Sequence, residues 1–98
     1  MIKNYKKENI GPCSYYFRLG EIFKHKKTDL VDPEKNKFPK LKELKLPYII
    51  KPGEYILAKT IESFDTPLDV MSIYATKGMA MRIGLDIICG LNDPGYKG

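Results

Sequence analysis

Two cysteines, one histidine and no long apolar run set the first limits on this chain. Cys13 and Cys89 lie far apart in sequence, and only His25 can join them. That is a poor donor set for zinc, whose sites are usually tetrahedral and built from Cys and His. No protein metal ligands are assigned. The two thiols are expected to be reduced and buried. No segment approaches the roughly 18 apolar residues of a membrane-spanning helix. The basic start, MIKNYKKENI, has no apolar stretch behind it, so it does not read as a signal peptide. A cytoplasmic protein without membrane contact is expected. Also missing are internal repeats, low-complexity tracts and any helix of ten or more residues with a clean 3.6-residue period.

What is present is an ordinary globular composition, with 43% hydrophobic and 30% charged residues. Ninety-eight residues make one domain, 1–98, whose modest core is marginal alone, so self-association is expected. The net charge of +5 is uneven. Residues 1–49 carry 12 basic and 6 acidic side chains; residues 50–98 carry 5 and 6. A basic half is compatible with nucleic acid. Yet the lysines of residues 24–45 are interspersed with Asp29, Asp32, Glu34 and Glu43, and aromatic residues do not interleave with them. A base-stacking platform needs that interleaving. A solvated, lysine-coated loop is the better reading.

The chain in order predicts many short strands. Residues 1–10 read as a short helix or an arm. Gly11-Pro12 is a breaker pair, after which Tyr15, Phe17 and Leu19 alternate with polar neighbours as in a strand. Gly20 permits a bulge. Residues 24–45 read as a long surface excursion with a helical turn at Pro39–Leu44. His25, within it, reads as a surface residue. Lys51-Pro52-Gly53-Glu54 carries the signature of a type II turn, because Gly supplies the positive φ at the third position. The strand after it, Glu54–Ile61, is apolar on both faces and is expected to be buried on both sides or to lie at a subunit contact. Asp65–Asp69 turn through Pro67, and Val70–Tyr74 form another strand. Short strands separated by Gly/Pro turns point to an all-β sandwich or barrel.

Two segments carry candidate chemistry. In KGMAMRIG, residues 77–84, Gly78 can open a short helix whose first amides have no intrahelical partner and favour an anion. Lys77 stands just before it and Arg82, with a fork suited to phosphate oxygens, lies one turn on. The competing account is a plain β-α-β connection with Met79, Met81 and Ile83 in the core. In GLNDPGYKG, residues 90–98, Asp93 is presented at a tight Pro94-Gly95 turn and Tyr96 follows it. A carboxylate there can orient and deprotonate water, and the ring can stack under a sugar. Against this stands a turn in which Asp93 caps its own backbone.

These blocks, in this order, resemble the dUTPase/dCTP deaminase superfamily. GPCSYYFRLG looks like the first motif of the deaminase branch. IKPGEYILAKTIESFDTP looks like the Pro-Gly-Glu strand pair before the second motif. TKGMAMRIGL and GLNDPGYKG look like the second and third, and the third fits the dUTPase pattern G-x-x-D-x-x-Y-x-G. The resemblance implies a distorted all-β barrel with at most one short helix. It implies a homotrimer with nucleotide sites at subunit interfaces. It implies dUTP diphosphatase or dCTP deaminase activity on a deoxypyrimidine triphosphate, with Mg²⁺ bound through the triphosphate. Asp93 would be catalytic. Lys77, Gly78 and Arg82 would bind phosphates, with Arg82 reaching from a neighbouring subunit. Gly90 and Leu91 would offer backbone to the base, and Tyr96 would pack on the deoxyribose.

Departures from the pattern are expected to matter. Tyr16 stands at the acidic position of the first motif, and Gly78 and Met79 stand where serine is usual. The strand that carries the deaminases' catalytic Glu would follow Gly98, which implies a domain truncated at its C-terminus. The third motif favours the diphosphatase over the deaminase. A non-catalytic nucleotide-binding relative is the alternative, followed by a small basic nucleic-acid-binding barrel.

Overall fold

The computed structural model describes residues 1–27 and 31–98. They form two compact units, Lys6–Ile61 and a second made of Met1–Tyr5 with Glu62–Gly98. Strands dominate, and the one α-helix among the described residues is short. The all-β expectation therefore holds, but the strands make three small sheets rather than a closed barrel.

The Lys6–Ile61 unit is built on a three-stranded antiparallel sheet. Strand β2 (Leu19–His25) lies between β3 (Leu41–Leu44) and β4 (Leu57–Thr60). Ile22 faces Leu44 on one side and Ala58 on the other, and is buried. Between Leu19 and Ile22 the pairing with β4 slips by one residue, a bulge. Gly20 sits there because a Cβ would lie 3.0 Å from the Lys59 carbonyl oxygen.

The Pro52-Gly53 turn closes as predicted. Gly53 has φ of +74° and the Glu54 amide donates to the Lys51 carbonyl at 3.0 Å. Glu54 then gathers its surroundings. One carboxylate oxygen accepts from Lys24 Nζ at 2.7 Å and from the Tyr48 hydroxyl at 2.5 Å; the other accepts from the Lys51 amide at 2.9 Å. These bonds, that of Lys24 first, hold its carboxyl down at about 2. The network ties the turn to the central strand.

Two expectations for this unit fail. Residues 11–18 are a folded-back turn rather than a strand, with Gly11 donating to the Ser14 carbonyl at 2.7 Å and Tyr16 to that of Asn9 at 2.9 Å. The helical turn at Pro39–Leu44 is instead β3, because cross-strand pairing with Ile22–His25 overrides local propensity. The excursion is thus shorter, and its residues 28–30 lie outside the described residues. His25 is exposed and stacks on Tyr55 at 5.8 Å.

In the other unit, β1 (Ile2–Lys3) pairs antiparallel with β5 (Ser63–Phe64). The free edge of β5 takes the chain end: Phe64 and Gly98 exchange both backbone hydrogen bonds, and Thr66 donates to the Tyr96 carbonyl at 2.8 Å. β6 (Ser72–Ile73) pairs with β7 (Leu91–Asn92). Phe64 is buried and meets Tyr74 edge-on at 5.8 Å.

Across the described residues only Ile22 and Phe64 are buried hydrophobic residues. Met79, Met81 and Ile83 are exposed, which removes the core account of residues 77–84. Leu57, Tyr55 and Ile61 of the two-faced strand are exposed as well. Cys13 and Cys89 are free, as expected, but both are exposed rather than buried: one lies in the 11–14 turn and the other in the extended run before β7. No helix among the described residues is long and apolar enough to cross a membrane.

Candidate functional site

The two candidate segments belong to one antiparallel ribbon. Ser72 faces Asn92 and Ile73 faces Leu91. Further along, the Ile87 amide donates to Thr76 Oγ1 at 2.9 Å and to Asp86 Oδ1 at 2.8 Å, and Thr76 Oγ1 donates to Asp86 Oδ1 at 2.5 Å. These bonds keep the two chains side by side out to the connection at residues 77–85. They also hold the Asp86 carboxyl below its usual range, the Thr76 bond first.

That connection contains α1 (Gly78–Arg82), with Lys77 extended at its N-cap. Its C-terminus is a Schellman motif. Leu85 donates to the Ala80 carbonyl at 3.0 Å and Gly84 to that of Met81 at 3.0 Å, with Gly84 at φ of +80°. Glycine ends the helix there because it carries no Cβ penalty in the left-handed region. Lys77 and Arg82 stand at opposite ends of a single turn, about 7 Å apart along its axis. Gly78 has nothing within 4 Å of where a Cβ would stand.

The other end of the ribbon leads into a type II turn. Tyr96 donates to the Asp93 carbonyl at 3.1 Å, with Pro94 and Gly95 central and Gly95 at φ of +81°. Asp93 is exposed on this turn, and Tyr96 is half-exposed. The Tyr96 ring folds over Gly98 so closely that a Cβ at 98 would collide with the hydroxyl. Gly90 and Leu91 lead into β7 and Leu91 is exposed.

So the structure brings Asp93 and Tyr96 together on one turn, and Lys77, Gly78 and Arg82 together on one loop. It does not bring the two groups together. The ribbon from Thr76 to Ser72 separates them by roughly 13 Å, at about 3.3 Å per residue.

Sequence reasoning missed the supports. Buried Asn92 donates from Nδ2 to the Tyr74 hydroxyl at 2.8 Å, which fixes β7 immediately before Asp93. Burial pushes the Tyr74 phenol up. The signal was a polar Asn in the strand before the turn. Thr76 and Asp86, which bracket the loop, gave no pattern distinct from ordinary polar residues. Tyr16, at the first motif's acidic position, is exposed in the Lys6–Ile61 unit. A shallow depression lined by Gly20, Glu21, Glu43, Leu44, Lys45 and Leu46 contains none of the predicted site residues. Among the described residues no three His, Cys, Asp or Glu side chains are grouped to hold a metal ion.

Comparison with known proteins gives a consistent picture. A family model described as dCTP deaminase-like matches residues 1–98. A protein of Dictyoglomus turgidum named "dCTP deaminase, dUMP-forming" is 31% identical, covering 93% of this chain and 52% of its own length. One of Nanoarchaeum equitans with the same name is 29% identical over all of this chain and 61% of its own length. A "dCTP deaminase" of Sulfurisphaera tokodaii is 36% identical over 81% of this chain and 44% of its own length. The chain spans about half the length of these curated relatives. No solved structure matches.

Proposed function

The chain belongs to the dCTP deaminase-like family, and on that premise we propose that it acts on dCTP and forms dUMP. In this reading a deoxypyrimidine triphosphate is held by two separate halves of the ribbon. Lys77, the first amides of α1 and Arg82 neutralise the phosphates. Tyr96 packs against the deoxyribose, and the backbone of Gly90 and Leu91 lines the base edge. Asp93, exposed beside Tyr96, orients water or a sugar hydroxyl.

The observation that carries this reading is the division of the ribbon. The phosphate-type residues sit at one end and the acid and ring at the other, roughly 13 Å apart by strand rise. By resemblance we read the protein as a homotrimer whose nucleotide sites lie at subunit interfaces, so that one copy's cation loop and another's acid turn serve one nucleotide. Mg²⁺ is read as carried by the triphosphate, its usual mode with few protein ligands, and when bound it screens phosphate charge. The diphosphatase step inferred from the third motif is then the pyrophosphate-releasing half of dUMP formation, the deamination releasing ammonia. The cytoplasm is the proposed compartment.

The test is incubation of the chain with dCTP or dUTP and Mg²⁺, following dUMP and pyrophosphate. Formation of dUMP from dCTP supports the whole reading. Turnover of dUTP alone restricts the protein to diphosphatase chemistry. The second reading, a nucleotide binder without catalysis, is favoured by Gly78, which offers no hydroxyl at the helix start. It predicts thermal stabilisation by dCTP with no product.

A further inference from the structure

We propose that Thr76 and Asp86 are positioning residues: a latch across the neck of the 77–85 loop that sets the spacing of Lys77 and Arg82 for a polyphosphate. This rests on the proposed function and adds residues to it. In α1 only Ala80 is half-buried; Gly78, Met79, Met81 and Arg82 are exposed. Packing therefore holds the helix weakly, and a single turn is not self-supporting in water. Within the loop the Ala80 and Met81 amides donate to the Lys77 carbonyl at 2.8 and 3.2 Å, and the neck adds further hydrogen bonds.

The helix closes itself through Gly84 and Leu85, which donate to Met81 and Ala80. At the neck, three groups meet. Thr76 Oγ1 donates a hydrogen bond to Asp86 Oδ1, and the Ile87 amide donates to both oxygens. Thr76 immediately precedes Lys77, so the direction in which the chain enters the helix is set at the latch. Asp86 follows Leu85, so the direction in which it leaves is set there too. Neither side chain need touch the ligand. Removing either one frees both ends of the loop and lets Lys77 and Arg82 drift apart. The penalty falls on ligands that engage both cations at once.

Binding of dCTP and dCMP to the 98-residue chain is measured by calorimetry for the wild type, Thr76→Val, Asp86→Ala and Thr76→Ser. Thr76→Val and Asp86→Ala are expected to weaken dCTP about three- to tenfold, the effect of one or two lost hydrogen bonds, while leaving dCMP unchanged. Thr76→Ser, which keeps the hydroxyl, restores wild-type dCTP affinity. Equal weakening of both nucleotides, or of neither, overturns the latch and leaves the proposed function standing. Wild-type chain that binds neither nucleotide overturns the proposed function and this inference with it. Should both substitutions unfold the chain, hydrogen exchange of the wild-type Ile87 amide decides. Protection supports the latch; exchange at the free-peptide rate overturns it.

Discussion

At the scale of single residues, two polar networks make measurable claims. Glu54 has its carboxyl held at about 2 against an ordinary 4.5. A folded-state value below the unfolded one stabilises the fold above the unfolded value. That contribution is lost as pH falls from about 4.5 toward about 2. Melting followed by circular dichroism across this window should show the wild type losing stability with acid. Glu54→Gln should lack that component, and the two curves should converge at the acid end. The Asn92–Tyr74 bond is tested differently, because Asn92 is buried. Tyr74→Phe removes the acceptor and should cost about 1–3 kcal/mol in denaturant melts, the penalty of an unpaired buried donor. The double change with Asn92→Leu should recover much of that loss, since no polar group is then stranded. The turn that carries Asp93 and Tyr96 and the short helical loop that carries Lys77 and Arg82 were legible because turn glycines and charge mark them. Their supports were not. A hydrogen bond between Tyr74 and Asn92 depends on pairing across eighteen residues.

Single elements show which local signals survive folding. Gly84 is the clearest, because the helix end depends on its positive φ. Space is open around it, so Gly84→Ala meets no clash and is opposed by backbone strain alone. It should cost about 1–2 kcal/mol in thermal or urea unfolding. The Pro-Gly turns at 52–53 and 94–95 were equally legible, since both need a left-handed glycine at the third position. So was the bulge at Gly20. The strand β3 was not. LKEL carries no strong strand propensity, and its conformation comes from Ile22–His25 lying alongside. Residues 15–18 failed in the opposite direction: their alternation is strand-like, yet Asn9 and Ser14 capture the backbone into a turn.

For the whole molecule the sparse core is the leading fact. Leu68, Ile73, Ile88 and Leu91, on the unit that carries the candidate site, are large apolar residues left exposed, surface that association would bury. Sedimentation should therefore find a species larger than 11.3 kDa. The proposed interface sites add a sharper expectation. Arg82→Ala and Asp93→Asn should each abolish turnover alone, yet mixed and reassembled they should recover a substantial fraction, because some sites then draw both ends from intact sources. Recovery is absent if each copy builds its own site. The same ribbon has a consequence for dosage. In the proposed closed ring each copy would lend its cation loop to one neighbour and its acid turn to the other. A copy defective at both ends spoils two sites, not one. Activity in mixed populations then falls as the square of the intact fraction, and a minority of damaged chains poisons the rest.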